Sequence, residues 1–505
     1  MLSVYNTATV FGLNIIPVEV EVDISSGLPG ISIVGLPDKS VEEAKERVKA
    51  ALQNSGFSIP AKRITINLAP GDIKKEGTGF DLPIAVGILT AAGYIPQNKS
   101  KIWIIGELAL IGETRHIPGI LPIAQKAKEL KIETLFVPAV DGAEAAVIKE
   151  LNVIPVDNIL ALSFHLKREE TIKPQPFTKT DGEKEIEYEY DFAYIKGQEF
   201  AKRALEIVAA GGHNLLMSGP PGAGKTLLAR SLPSILPPLS YEEKIEISKI
   251  YSLSGLLQGN LIRQRPFRNP HHTSSAIAII GGGTVPKPGE VTLAHLGILF
   301  LDELPEFPRH VLEVLRQPLE DGVVTIARAH SSLQFPAKFT LIAAKNPCPC
   351  GFYQDPKKEC ICSPYQINSY QKRVSGPLLD RIDLQIEVPK LETTELTEEI
   401  LAEKSSQVRK RVEAARLIQK NRYQNETTVN ANLTNKQMKK YISIDYEIKQ
   451  FLSKAIDQFG LSARAYSKVI KTSRTIADLS SSKEISIDHI AEALQYRPKQ
   501  GVNYM

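Results

Sequence analysis

Between Leu215 and Leu228 the sequence reads LLMSGPPGAGKTLL, where the spacing G-x-x-x-x-G-K-T follows an apolar run. A glycine-rich turn from a strand into a helix lets backbone N–H groups converge on an anion, and the helix adds its N-terminal dipole. Gly219, Pro220, Pro221, Gly222, Ala223 and Gly224 therefore predict a phosphate-binding loop. Lys225 can reach β- and γ-phosphates, and the Thr226 hydroxyl can ligate Mg²⁺. This is chemistry suited to a nucleoside triphosphate, read here as ATP.

Hydrolysis needs further parts. GILFLDEL, from Gly297 to Leu304, is an apolar strand ending in two acids, so Asp302 can hold Mg²⁺ and Glu303 can polarise the attacking water. FTLIAAKN, from Phe339 to Asn346, is another buried strand, and Asn346 at its tip can orient that water. GPLLDRIDL places Arg381 just after a short helical turn, and LSARAYSKVI places Arg464 at the start of a later helix. Both are candidate γ-phosphate sensors, since a guanidinium matches phosphate geometry.

A second cluster of chemistry lies between Asn346 and Arg381. All four cysteines of the chain, Cys348, Cys350, Cys360 and Cys362, fall there as two C-x-C pairs, with Gly351 and Pro364 supplying turns. Four thiolates would close a tetrahedral, structural Zn²⁺ site. The C-x-C bite is tighter than the usual C-x-x-C, so free reduced thiols are the competing reading. A disulfide is favoured less in a reducing compartment.

This order of parts resembles the AAA+ ATPases, and within them the magnesium-chelatase-like family of bacterial ComM and YifB proteins. The resemblance is carried by Gly219 to Thr226, Asp302, Glu303, Asn346, Arg381 and Arg464. It is carried also by the strings RPFRNPHHTSSA, IIGGGTVPKPGEVTLAHLGILFLDELPEF and NPCPCG, and it extends over nearly the whole chain. It implies that Arg381 is an arginine finger offered to a neighbouring subunit and Arg464 a sensor on a helical lid. Ile195, Lys196, Gly197 and Gln198 would form part of the adenine pocket. His271 and His272 fall within one of these strings and read as an interface or packing pair.

The elements that must position these residues read as three regions joined by linkers. Residues 1–166 alternate β-like runs (VEVEVDIS, GISIVGL, RITINLAP, KIWIIGELAL) with helical patterns, as expected of a mixed α/β domain. From Phe57 to Pro138 this region resembles the Lon protease domain, a ribosomal S5-like fold. Gly79 and Leu121 stand where that enzyme's serine and lysine would be, which predicts a retained fold without peptidase chemistry. Residues 167–190 are charged and lack apolar periodicity, and read as a linker. An AAA+ core over 191–389 carries two hairpin inserts, AIAIIGGGTVPKPGE and VVTIARAHSSLQFPAKF, and the cysteine segment. In related ATPases such hairpins touch a nucleic-acid strand in a central pore. Lys287 on the first, with Arg328 and His330 on the second, could then meet phosphates; solvent-facing turns are the competing reading. Residues 390–433 read as a connecting helix and linker, whose cations Arg409, Lys410, Arg411, Arg416, Lys420 and Arg422 suit a solvated face better than a DNA-facing stripe. Residues 434–505 read as an all-helical lid in which Ser486 is an N-cap.

Composition bounds the remaining classes. A chain of 505 residues with net charge +4 is mildly basic, so any nucleic-acid contact must be local. Met1 to Pro17 has no signal-peptide pattern, and no run approaches the ~18 apolar residues of a membrane-spanning helix, so a cytoplasmic protein without membrane contact is expected. Taken with the resemblance, the expectation is an ATP-hydrolysing, homo-hexameric ring motor. It would act on single-stranded or branched DNA by branch migration or helicase-like remodelling, alongside recombination proteins. A magnesium-chelatase-type motor subunit and a protein-remodelling ATPase are the alternatives.

Overall fold

The computed structural model describes residues 2–98, 100–178, 187–283, 286–327, 332–355, 357–391, 402–459 and 462–497. The chain divides into two compact units, and the division is not contiguous in sequence. Residues 1–184 are joined by Tyr241–Ile262, while 185–240 and 263–505 form the other unit. A contiguous core over 191–389 thus does not describe the packing of 241–262, whose apolar side chains find their partners on the first unit.

The first unit is built on a seven-stranded mixed sheet. Leu2–Phe11 pairs antiparallel with Asn14–Ser25, which pairs antiparallel with Arg63–Ala69. Gly30–Val34 adds a parallel edge on one side, and Ile102–Ile104, Thr134–Pro138 and Asn152–Val156 continue in parallel on the other. Side chains alternate across a strand. Ile102 and Ile104 accordingly enter one core with Val20, Val22 and Phe136, while Trp103 enters the opposite core with Leu121, Leu135 and Val137. Helix Lys39–Asn54 opens on Asp38, whose carboxylate accepts the Val41 N–H at 2.8 Å. It buries Val41, Ala44, Val48, Ala51 and Leu52, the spacing of one helical face. Helix Asp81–Ala91 is buried along its whole length, and its one charge is met bidentately by Arg47 at 2.7 and 2.9 Å. Removing one partner of a pair so buried costs about 3–5 kcal/mol.

Helix Tyr241–Leu253 completes the second of these cores. Ile245 enters that cluster, the Tyr241 hydroxyl donates to the Val147 carbonyl at 2.9 Å, and the Ser252 hydroxyl donates to Glu144 at 2.6 Å. The same Glu144 carboxylate accepts the Leu121 N–H at 2.9 Å, so it ties the inserted helix to helix Ile120–Glu129.

The second unit holds a five-stranded, all-parallel sheet in the order Phe267–Arg268, Ile298–Leu301, Thr340–Lys345, Leu215–Ser218, Leu384–Glu387. The phosphate-loop strand therefore lies between the strand leading to Asn346 and the strand that follows Arg381. Strands buried on both faces are near-continuously apolar, as ILFL and LLM are here. The expected first hairpin is shorter than its sequence suggested. Ala276–Ile280 is a helical turn capped by Ser275, and only Gly281–Gly282 pairs with Lys287–Pro288. The second hairpin, Val323–Ala327 with Ser332–Pro336, forms in full register; its tip residues Arg328 and His330 lie outside the described residues.

Helices Ser405–Tyr423, Asn435–Tyr441, Tyr446–Phe459, Ala463–Leu479 and Ile487–Gln495 complete this unit. Ser486 caps the last of them, accepting the His489 N–H. Of the six cations of Ser405–Tyr423, Lys410 and Lys420 are exposed as a solvated face expects, but the four arginines have partners in their own unit. Arg409 donates to the Ser234 carbonyl and Arg416 to that of Ala209, Arg411 pairs with Glu206 and Glu403, and Arg422 pairs with Asp478. The helix is bound through its charges to its own unit. Among the described residues no helix is long and apolar enough to cross a membrane.

Candidate nucleotide site and cysteine knuckle

The phosphate loop leaves strand Leu215–Ser218 and enters helix Lys225–Ile235 at the C-terminal edge of the parallel sheet, where ligands of open α/β sheets sit. Gly222 and Gly224 adopt φ of 77° and 87°, which only glycine holds without strain, and a Cβ at either would meet nothing within 4 Å. The loop thus has the open, backbone-lined concavity that a phosphate needs. Lys225 lies across it: its ammonium donates to the Gly219 carbonyl at 2.6 Å, the Pro220 carbonyl at 3.0 Å and Asn346 Oδ1 at 3.2 Å. Burial pulls the Lys225 pKa below its usual value, and the nearby Asp302 and Glu303 carboxylates oppose this.

Thr226 Oγ1 donates to Asp302 Oδ2 at 2.8 Å, so the two oxygens read as Mg²⁺ ligands already face each other. This donor set, a hydroxyl and a carboxylate beside a phosphate cradle, fits Mg²⁺. Glu303 follows at φ 52°, a left-handed conformation rare outside glycine, and its N–H donates to Asp302 Oδ1 at 3.0 Å. That backbone turn separates the two acids of the strand end. Ile195 is buried and Gly197 adopts φ 53°, while the neighbouring Gln198 amide reaches the carbonyls of Ala223 at 3.5 Å and Pro389 at 2.6 Å. The segment read as an adenine pocket is in this way fastened to the phosphate loop.

Two hydrogen-bonded pairs, Lys225 with Asn346 and Thr226 with Asp302, are therefore brought together by consecutive residues at the start of one helix. Arg381 and Arg464 are in neither pair; both are held on Glu320. One Arg381 Nη pairs with Glu320 and the other donates to the Pro377 carbonyl at 2.6 Å, while an Arg464 Nη lies 4.0 Å from the same carboxylate oxygen. Sequence reasoning missed Glu320, which sits in no motif. It also missed the partner of His272, whose ring nitrogen lies 3.3 Å from Glu303 Oε2, with the His271 ring tilted beside it at 4.1 Å. One member of the pair read as an interface or packing pair, His272, thus reaches the acid of the strand end. Lys287 of the first hairpin is exposed.

The four cysteines converge. Their sulfurs lie within 4.8 Å of one another, with Cys348–Cys350, Cys348–Cys360 and Cys350–Cys360 separations of 3.3, 3.7 and 3.6 Å. No pair is a disulfide. Four thiolates at Zn–S distances of ~2.3 Å define a tetrahedron with edges of about 3.8 Å, so the cluster is spaced for that ion. The Tyr353 N–H donates to Cys348 Sγ at 3.3 Å. Burial pushes the Cys350 thiol up, but the Phe352 N–H and the neighbouring thiols more than reverse this and lower it, while against a backbone hydrogen bond at each, burial and the thiol neighbours raise Cys360 and Cys362. The knuckle also presses on the nucleotide site: a Cβ on Gly351, at φ 85°, would stand 2.5 Å from Pro221 Cδ of the phosphate loop.

The Lon-like dyad positions hold no chemistry. Gly79 faces Ile105 and Ile117, whose carbons would lie 3.1 and 3.3 Å from an added Cβ, and Leu121 is fully buried. Apolar side chains fill the space around the expected serine.

Comparison with known proteins decides the family. Residues 191–396 match the family described as magnesium chelatase, subunit ChlI; residues 20–141 match subunit ChlI of Mg-chelatase, and 402–497 its C-terminal region. The chain is 44% identical over 501 residues to the competence protein ComM of Haemophilus influenzae, covering 98% of this chain and 97% of that protein. It belongs to the ComM/YifB family of magnesium-chelatase-like proteins. YifB of Escherichia coli is 42% identical over the same shares of both chains. The magnesium-chelatase 38 kDa subunit of Rhodobacter capsulatus is 27% identical over 31% of this chain and 50% of that protein. The AAA+ P-loop fold with a preceding α/β domain accords with this membership.

Proposed function

We propose that this chain is the subunit of an ATP-hydrolysing, hexameric ring motor that acts on single-stranded or branched DNA during recombination. The observation that carries the ATPase reading is the pairing of Lys225 with Asn346 and of Thr226 with Asp302, side by side at the edge of a parallel sheet. The loop N–H groups and Lys225 bind the triphosphate, and Thr226 with Asp302 hold the Mg²⁺, which supplies charge neutralisation when bound. Glu303 accepts a proton from the water that Asn346 orients toward the γ-phosphorus, and Arg381 of a neighbouring subunit meets the charge that develops as the bond to ADP breaks. Arg464 senses phosphate from the lid. The first domain serves without peptidase chemistry, and Cys348, Cys350, Cys360 and Cys362 hold a structural Zn²⁺.

The DNA assignment is supported by the full-length likeness to a competence protein and by two hairpins on the same unit. A chelatase-motor reading draws on lower likenesses, 27% identity over 31% of the chain and 24% identity over 61% of it. The test is the ATPase rate of the full chain with and without single-stranded and branched DNA across a salt series. Stimulation that weakens as salt rises is expected, because neutralised phosphates release counterions; an unchanged rate on every DNA overturns the assignment.

A further inference from the structure

We propose that Glu320 is a positioning residue that withholds the arginine finger, and that the second hairpin controls its release. Three observations meet at this carboxylate. Arg381 is a nearly buried arginine, 11% exposed, whose guanidinium is committed to Glu320 and the Pro377 carbonyl, while its buried Nε has no partner. A guanidinium so held has one N–H unsatisfied and is poised for an acceptor better than the one it has. Arg464 comes from a helix far along the chain and shares the same Glu320 oxygen at 4.0 Å. One acid thus gathers both candidate phosphate sensors. Finally, Glu320 lies in helix Arg316–Asp321, which runs through Gly322 directly into hairpin strand Val323–Ala327. The hairpin base is closed onto that helix end, where the Ala337 N–H donates to the Gly322 carbonyl at 2.8 Å.

The rest of the Arg381 loop is fixed from the other side. Asn214, just before the phosphate-loop strand, donates to the Arg381 carbonyl at 3.1 Å, and its own N–H donates to Asp383 at 2.9 Å. Asp383 also pairs with Lys468 of the lid helix at 3.1 Å. The backbone that carries the finger is therefore anchored, and the side chain is the part free to exchange partners. Glu320 and a neighbouring subunit's γ-phosphate compete for one guanidinium. A load on the hairpin that shifts helix Arg316–Asp321 removes the first competitor and hands Arg381 to the second.

This rests on the reading of Arg381 as a finger, and four variants of the full chain separate the two ideas, each checked for ring assembly by size-exclusion chromatography. Glu320→Gln keeps the shape but weakens the hold, so its DNA-free ATPase rate should rise about tenfold, within the span of measured allosteric couplings, and DNA should add little more. Glu320→Asp, a shorter carboxylate, should fall between it and the parent chain. Adding Arg381→Ala to Glu320→Gln should bring the rate down to that of Arg381→Ala alone, which a merely structural role for Glu320 would not dictate. A Glu320→Gln rate at or below the parent's without DNA overturns the latch. A rise in that rate with DNA stimulation of parental size overturns its control by the hairpin. An Arg381→Ala chain as fast as the parent overturns the finger instead.

Discussion

In the proposed reaction Lys225 and Glu303 act on different atoms, and this separates their variants. Lys225 neutralises phosphate oxygens, so Lys225→Ala should lose nucleotide binding in a titration with a fluorescent ATP analogue. Glu303 handles the water, so Glu303→Gln should still bind yet turn over ~10²- to 10⁴-fold more slowly, the usual worth of a general base. Turnover of Glu303→Gln at the parental rate would show that another group activates the water. The loop was legible in the sequence because its chemistry is local: glycines, lysine and threonine occupy fixed offsets on one strand-loop-helix unit. His272 and Glu320 were not legible in these roles. The contact of Arg381 with Glu320 joins positions 61 apart, and no periodicity links them. The same is true of Gly351 and Pro221, which the cysteine spacing could not announce.

At the scale of elements, the sequence showed where helices lie better than what they touch. The segment Ser405–Tyr423 is helical as its spacing predicts, but its arginines looked solvated because their partners, Glu206, Ser234 and Asp478, belong to other elements. The cysteine knuckle lends itself to a direct test. One Zn²⁺ per chain is expected by elemental analysis, and Cys360→Ser should lower the metal content, the thermal midpoint and the ATPase rate together, since the knuckle bears on Pro221. Zinc-free protein of full activity would leave the thiols as simple packing. The lid offers a second test through pH. His213 is fully buried, its Nε2 2.7 Å from the Thr475 hydroxyl, and burial holds its pKa below the usual value despite the neighbouring Asp383. The unfolded chain therefore binds this proton more readily than the folded one. Stability should fall as pH drops through the unfolded histidine value of about 6.5. Urea melts at about pH 5.5 and 7.5 should show this loss, and His213→Gln should reduce the difference; an unchanged difference in that variant would assign the pH response to other groups.

For the whole molecule, the informative feature is helix Tyr241–Leu253, which the chain makes in the midst of the unit that carries the phosphate-loop motif and buries in the other. A boundary drawn on composition near the linker cannot reveal this, because the helix reads as amphipathic wherever it docks. A fragment ending at residue 184 should therefore be unstable: Ile245 alone contributes about 1.5–3 kcal/mol on burial, and Glu144 would lose the Ser252 hydroxyl. Circular dichroism and size-exclusion chromatography of residues 1–184, with and without residues 241–262 attached through a flexible linker, would show whether the inserted helix restores a compact fold. A well-folded short fragment would mean that the helix is an accessory. The arrangement also sets a timetable for synthesis. Domains commonly fold as they leave the ribosome, but this first core stays unsealed until Tyr241–Ile262 has been translated. At ~5–20 residues per second that is a wait of about 4–16 s after residue 184, with Leu121 and its neighbours exposed meanwhile. The nascent chain should thus need shielding during its own translation, a demand set by the order in which its parts are made rather than by the stability of the finished fold.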